Sequence, residues 1–347
     1  METPDTSRID RPWPDADLER IECCPYCDAP ERTVAHSDVQ DWSFYAAPGK
    51  WTYWTCTRCG SLYLSPRPTA ATLGQAYRTY HTHQLAQRES FLRRVKDRLI
   101  NECWSHWLAI DLRPRLRLPR ALKWLLVPLQ ARLVEPFEIA ELVKLPKGRL
   151  VDVGCGNGGM LSIAKRLGWQ AVGLEIDPVA ASAARARGLD VLDGSYERLA
   201  AFRRQLDCII CSHVLEHVHD PRDLLVKLAE ALKPGGTLLL SLPNATSLMR
   251  QYFGNDWRGL EAPRHLTIPS MSQLTANLRA VGFSVRQRPL ARSWTAAESA
   301  RIRRRGTRLN AHDRAVARTV NAGHVFSSEQ QYDFVEFVCV KGGHRVV

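Results

Sequence analysis

A seven-stranded, doubly wound α/β sheet is the fold this sequence predicts, with a cysteine-rich module and a helical linker ahead of it. Three observations predict it. From Gly148 onward, short apolar runs alternate with amphipathic stretches of helical period, the pattern of a parallel sheet covered on both faces. The first run breaks into Gly154-Cys155-Gly156-Asn157-Gly158, where a strand gives way to a helix through residues that mostly lack side chains. Nearer the N-terminus stand two Cys-x-x-Cys pairs. The expected division is a tail over 1–20, a ribbon over 21–68, a linker over 69–145 and the sheet domain over 146–347 with an insertion at 293–331.

Arg149 to Val153 is the first strand, and the helix after the glycines carries Met160, Leu161, Ala164 and Leu167 on one face until Gly168 ends it. Ala171 to Glu175 is the second strand. Asp177-Pro178 starts a helix with a cap and a first-turn proline, and Gly188 stops it. Leu189 to Leu192 and Asp207 to Cys211 are the third and fourth strands. Asp220-Pro221 opens a helix with Leu224, Leu225, Leu228 and Leu232 inward, and Pro234-Gly235-Gly236 turns into a fifth strand, Thr237 to Leu242. Ser270 with Gln273 reads as a capping box before Leu274, Leu278 and Val281. Phe283 to Val285 and Glu336 to Val340 complete the sheet.

Charge and composition bound the function. The net charge of +12 on 347 residues permits contact with nucleic acid, anionic lipid or phosphorylated ligands. The excess is spread along the chain, with Arg303-Arg304-Arg305 its densest cluster. The acidic, proline-bearing start lacks the apolar core of a signal peptide. Trp124 to Leu129, the longest apolar stretch, is too short to span a bilayer. A soluble cytoplasmic protein is the expectation.

Cys24 and Cys27, with Cys56 and Cys59, form two knuckles that bring four thiolates onto one metal. A closed tetrahedral zinc site of this kind is structural, since catalytic zinc keeps an exchangeable position. Cys23 is a weaker substitute for Cys24 because the spacing to Cys27 then lengthens. The remaining cysteines, Cys103, Cys155, Cys208, Cys211 and Cys339, read as small core residues.

Ligands of open α/β sheets bind beyond the carboxyl ends of the strands. Glycines at 154, 156 and 158 let backbone approach such a ligand, Asp152 lies inside the strand end, and Glu175 is placed to accept from two ribose hydroxyls. Together these resemble the S-adenosylmethionine site of class I methyltransferases, whose sheet is Rossmann-like. Ser212-His213-Val214-Leu215-Glu216-His217-Val218 resembles the Val-Leu-Glu-His segment of small-molecule methyltransferases, including those of ubiquinone biosynthesis. Leu232 to Gly236 resembles the usual turn into the fifth strand. Trp257-Arg258-Gly259 and Pro263-Arg264-His265-Leu266, with Tyr80-His81-Thr82-His83 and the ribbon, are similar to bacterial methyltransferases found with surface-polysaccharide genes. The resemblance implies Asp152, Gly154, Cys155, Gly156, Gly158, Glu175, Ile176, Ser195 and Ser212 at the cofactor. Asp193, Ser195 and Tyr196 all compete for the adenine contact, because the usual acid after the third strand is displaced.

Methyl transfer to oxygen requires an acceptor held in line and a group to take its proton. His213, His217 and His265 are the candidates, each with the bland alternative of satisfying a loop carbonyl. Glu216, Trp257 and Arg264 are candidate substrate contacts. Arg264 has the alternative of bridging to Glu216, and Trp257 that of anchoring a lid. Phe91 to Leu133 mixes Arg with Leu and Trp at helical spacing, which suits a packed linker and also peripheral contact with anionic membrane. A lid, a homodimer contact or a mobile loop each fits 293–331.

The expected activity is methylation of a small-molecule hydroxyl on a sugar or glycan precursor. Sugar C-methylation is the near variant, since deoxysugar C-methyltransferases also carry an N-terminal zinc-binding domain, but their His-Glu-His-Leu motif is not evident. RNA methylation is disfavoured because no Asn-Pro-Pro-Tyr-like segment follows the fourth strand. The intact glycines and Glu175 argue against a non-catalytic scaffold.

Overall fold

The computed structural model describes residues 7–77, 91–107, 115–119, 122, 137–288, 295–305, 309–321 and 333–342. Tyr80-His81-Thr82-His83 and much of the Arg-Leu-Trp stretch lie outside the described residues. Strands are β1 (Leu18–Glu19), β2 (Arg32–Val39), β3 (Trp51–Cys56), β4 (Leu62–Leu64), β5 (Arg67–Pro68), β6 (Arg149–Val153), β7 (Gln170–Glu175), β8 (Val191–Asp193), β9 (Leu206–Ser212), β10 (Leu232–Pro243), β11 (Thr267–Ile268), β12 (Phe283–Arg288) and β13 (Phe334–Lys341). The α-helices are α1 (Phe91–Trp107), α2 (Phe137–Lys144), α3 (Gly159–Arg166), α4 (Pro178–Ala186), α5 (Pro221–Ala231), α6 (Leu248–Phe253), α7 (Met271–Ala280), α8 (Thr295–Arg303) and α9 (Ala311–Asn321).

The large sheet has seven strands in the order β12-β13-β10-β9-β6-β7-β8. β6, β7 and β8 pair in parallel, whereas β13 runs antiparallel to both β10 and β12. The sheet is therefore mixed, which corrects the expectation of a parallel one. Apolar alternation reports burial and period but not direction: Val335, Phe337 and Val338 are buried and read the same either way.

Two further corrections concern ends. Leu232 opens β10 instead of closing the helix before it, and its ψ of 142° is extended. Lys233 precedes Pro234, which disfavours continuing the helix. Ser270 caps α7 by accepting from the Gln273 amide, but the Gln273 side chain bonds Asn277 and the Tyr26 carbonyl. The Ser270 amide donates to Ser61 Oγ, so the capping box is half made.

The chain divides into two compact units, one of Met1–His81, Tyr196–Gln205 and Cys211–Val347, the other of Thr82–Ser195 and Leu206–Ile210. In the second unit, Val151 and Val153 of β6 are buried, as are Ala180, Ala181 and Ala184 of α4. A Cβ on Gly173 would lie 2.4 Å from Cys155 Sγ, and one on Gly158 would lie 2.3 Å from Leu189 Cδ1. Cys155 is thus packed as a small core residue.

In the first unit, the ribbon strands form a sheet ordered β11-β4-β3-β2. Its outer strand comes from residues 267–268, about two hundred positions beyond the knuckles. The core beneath includes Trp13, Trp51, Tyr53, Leu62, Leu64, Phe253, Trp257, Leu260, Leu266 and Ile268. The insertion is helical where described: α8 buries Thr295, Ala296, Ser299, Ala300 and Ile302. Arg303 and Arg305 pair with Asp256, and Arg304 with Asp313. The densest basic cluster is thus matched by acids of its own unit.

Of the linker helix, Val95 is exposed and Cys103 and Glu102 are buried. Glu102 accepts from the Arg117 amide and lies 3.6 Å from Arg115.

Candidate active site and metal centre

The glycine turn after β6 adopts backbone that side chains resist. Gly154, Gly156 and Gly158 have φ of 70°, 54° and 79°, the left-handed region favoured by glycine. Among the described residues, a Cβ on Gly156 would meet nothing within 4 Å, so the turn is open on this side. Gly158 has the opposite reason, close packing on Leu189 and Ala184, and it is also the N-cap of α3.

Glu175 ends β7 and is buried. Its Oε2 accepts from the Gly156 amide at 2.7 Å and its Oε1 from the Asp177 amide at 2.8 Å. Each carboxylate oxygen keeps a second lone pair, so the amides aim the group without exhausting it. Ile176 beside it is 73% exposed, an apolar side chain left at the carboxyl end of the strand. Asp152 is buried, and burial first, then the charges of Glu138 and Glu175, push its carboxyl up to about 8. Asp193 pairs with Arg185 at 2.6 Å, and Ser195 is half-buried.

The histidines belong to the other unit. His213 follows β9 with a φ of 56°, and its amide donates to the Ser241 carbonyl. Its side chain is 45% exposed, packs edge-on to Phe334, and places Nδ1 3.3 Å from Glu216 Oε1. Glu216 is fully buried. Burial alone would raise its carboxyl, but the hydrogen bond from His213 and the neighbouring imidazoles of His217, His213 and His265 hold it below the usual range.

His217 Nδ1 lies 3.0 Å from the Arg264 carbonyl and 2.9 Å from the Tyr77 hydroxyl. His265 is buried, its Nδ1 donates to the Gly259 carbonyl at 2.7 Å, and its ring meets that of His217 edge-on at 4.6 Å. Burial lowers His265 to about 4, against the pull of Glu261. The structure brings Glu216 together with all three candidate histidines.

Arg264 does not bridge to Glu216. Its guanidinium, fully buried, meets Asp41 at 2.5 and 3.0 Å, Glu261 at 3.2 Å and the Ala76 carbonyl at 3.0 Å. Trp257 is also buried, with Nε1 donating to Asp333 at 2.5 Å, an anchor and not a stacking platform. Ser212 is half-buried at the end of β9, and Tyr196 donates to Asp223.

The four cysteines Cys24, Cys27, Cys56 and Cys59 place their sulfurs within 4.8 Å of one another. Cys24 and Cys59 are 3.6 Å apart, as are Cys27 and Cys56. Zinc–sulfur bonds of about 2.3 Å in a tetrahedron separate sulfurs by roughly 3.8 Å, so this donor set fits a metal and a ribbon. Cys23 is exposed and outside the cluster.

Residues 129–288 match the family described as a methyltransferase domain. Over those residues the chain is similar to methyltransferase domains. Among curated relatives, the Ubiquinone biosynthesis O-methyltransferase of Xanthomonas campestris pv. campestris (strain B100) is 39% identical over 115 residues, 31% of this chain and 48% of that protein. The mitochondrial Ubiquinone biosynthesis O-methyltransferase of Schizosaccharomyces pombe is 36% identical over 110 residues, 29% of this chain and 40% of that one. The chain thus spans about half the length, or less, of the relatives it matches. A SAM-dependent methyltransferase from Archaeoglobus fulgidus aligns at 19% identity over 63% of this chain and 99% of its own, with a TM-score of 0.42.

Three residues outside the matched stretch carry contacts that sequence reasoning did not single out. Asp41 and Tyr53 come from the ribbon, and Tyr77 ends the short 3-10 helix Leu73–Tyr77. Each touches the Trp257–His265 segment or His217. Tyr53 Oη lies 2.6 Å from the Leu260 carbonyl and 2.7 Å from that of His265. Their signal was present only as buried-type polar residues in an aromatic run, with nothing in the sequence to name partners some two hundred positions away.

Proposed function

We propose that this chain transfers a methyl group from S-adenosylmethionine to a hydroxyl of a small molecule, a sugar or glycan precursor. The observation that carries the reading is the glycine turn with Glu175 aimed by the Gly156 and Asp177 amides. Glu175 would take the ribose hydroxyls. Asp152, Gly154, Gly156 and Gly158 would line the rest, with Cys155 packed behind them, and Ile176 and Ser195 would flank the adenine. The curated relatives, named O-methyltransferases, support oxygen as the acceptor atom, and the Trp257 to Leu266 segment supports the glycan class.

When bound, S-adenosylmethionine supplies an electrophilic methyl carbon and departs as the thioether. His213 is the proposed base: exposed, and oriented through Nδ1 by Glu216, it takes the proton the hydroxyl loses. Arg264 and Trp257 are positioning residues that hold the His265 segment. The four cysteines would hold structural zinc, and such thiols suit a reducing cytoplasm. Peripheral membrane contact and a homodimer go with the same reading.

The test is calorimetric titration with S-adenosylmethionine and S-adenosylhomocysteine beside Gly154→Arg. Micromolar binding lost in the variant is expected; no binding by a folded, metal-loaded protein overturns the proposal.

Asp152 adds a pH signature. Its folded value near 8 lies above the ordinary 3.8, so the folded chain keeps a proton that the unfolded chain releases. The stability tied to that proton is present below about pH 4 and lost as pH rises to about 8. A cationic ligand nearby lowers the value, so binding at pH 7 is expected to release a proton. Heats measured in buffers of different ionisation enthalpy show it; equal heats, or the same buffer dependence in Asp152→Asn, would refute it.

A further inference from the structure

We propose that the groove between α7 and the edge strand β12 binds an extended acidic segment of a partner protein, which joins the large sheet as a further strand. Helix α7 has three faces, and two of them have partners among the described residues. Met271, Leu274 and Leu278 are buried, while Gln273 and Asn277 donate to the Tyr26 carbonyl of the ribbon. Ser272, Thr275, Ala276 and Arg279 lie on the third face. With Met271, and Gln287 of β12, they line a groove of about 290 Å³. Ser272, Ala276 and Arg279 are exposed, and among the described residues Arg279 makes no ion pair.

The shape of the groove suits a strand. Gly282, with a φ of 91°, reverses the chain so that β12 runs back beside α7. Among the described residues β12 ends the seven-strand order. An outermost strand leaves one row of backbone N–H and C=O groups unpaired, a template for another chain. From Ser272 to Arg279 the helix rises roughly 10 Å, the span of about three strand residues. An extended peptide laid here pairs its backbone with β12 and turns every second side chain toward α7, the geometry of strand addition beside a helix.

Charge selects the occupant. From Ala262 to Ala297 the sequence holds no Asp or Glu, while Arg279, Arg286 and Arg288 fall on the helix and strand themselves. Arg288 stands opposite Glu336 of β13, so the cation of the groove itself is Arg279. Ser272 and Thr275 add hydroxyl donors on the same face, and a carboxylate side chain is the group that accepts from all three. A second copy of this chain is a poor occupant. Two β12 edges laid side by side bring arginines of both copies together, and like charges on adjacent strands repel. The net charge of +12 adds to that repulsion. The partner is therefore a different protein, with Asp or Glu at alternate positions of an extended segment.

The test uses the full chain and, as the probe, a fluorescein-labelled octapeptide alternating glutamate with valine. Fluorescence anisotropy is expected to show saturable binding, weakened at least about tenfold by Arg279→Glu. Of two analogues N-methylated on opposite sets of alternate residues, one should lose binding and the other keep it, because an added strand pairs through one edge only. Hydrogen exchange across residues 283–288 should slow when the unmodified peptide is bound. Should Arg279→Glu not fold, the exchange measurement on the wild type decides. No binding, equal affinity for the folded variant, equal behaviour of the two analogues, or binding without slower exchange at 283–288 each overturns the proposal. A dimer in solution whose β12 amides are protected without peptide also overturns it, since the occupant is then a second copy. The measurement needs neither cofactor nor activity, so its failure is separate from failure of the methyltransferase reading, which the cofactor titration judges.

Discussion

Replacing Asp41 with alanine is expected to destabilise the chain by about 3–5 kcal/mol, the usual cost of removing one partner of a buried ion pair. Asp41 is 1% exposed and makes both strong contacts to the Arg264 guanidinium. It also accepts from the amides of Phe44, Ala46 and Ala47. In its absence Arg264 keeps only Glu261 among these carboxylates, and Glu261 is already shared with Arg258. Three loop amides lose their acceptor as well. The measurement is urea unfolding followed by tryptophan fluorescence, with Asp41→Asn as the milder comparison because the amide oxygen still accepts. A midpoint unchanged in the alanine variant would show that the pair does not hold the segment.

The second large effect is expected from loss of one of the four clustered sulfurs. Cys56→Ser breaks the set proposed to hold zinc, and structural zinc contributes an apparent ~10–16 kcal/mol in small ribbons at neutral pH. The loss should not stay local. Ser270 Oγ donates to the Cys59 carbonyl, and Gln273 and Asn277 both donate to the Tyr26 carbonyl, so the knuckle backbone caps and braces α7. β11 pairs with β4, and Tyr53 reaches the carbonyls of Leu260 and His265. Hydrogen exchange should therefore rise both in the knuckles and across residues 260–277. Faster exchange confined to the knuckles would mean that the ribbon does not support the histidine segment.

The glycine turn, Asp152 and Glu175 were legible in the sequence because their chemistry is local: a strand, a turn that needs positive φ, and an acid at the next strand end all fall within residues 149–175. The cysteine pairs were legible for the same reason, since a knuckle is a four-residue object. The histidines after β9 and in the Pro-Arg-His-Leu segment were recognisable as chemistry but not as one cluster. Forty-seven positions separate His217 from the carbonyl of Arg264 that fixes its tautomer.

The sequence by itself determined the alternation that builds the sheet, the position of the glycine turn and the four sulfurs, because backbone sterics, apolar period and cysteine spacing act over a few residues. Only the tertiary structure decided that Arg264 pairs with Asp41, that the ribbon sheet is completed by Thr267–Ile268, that β13 runs antiparallel, and that a carboxylate oxygen of Glu216 stands beside two oriented imidazoles. These are choices among partners of equal local merit. They are settled by which groups must be buried together, and a buried charge or polar atom accepts only the partner that packing brings to it.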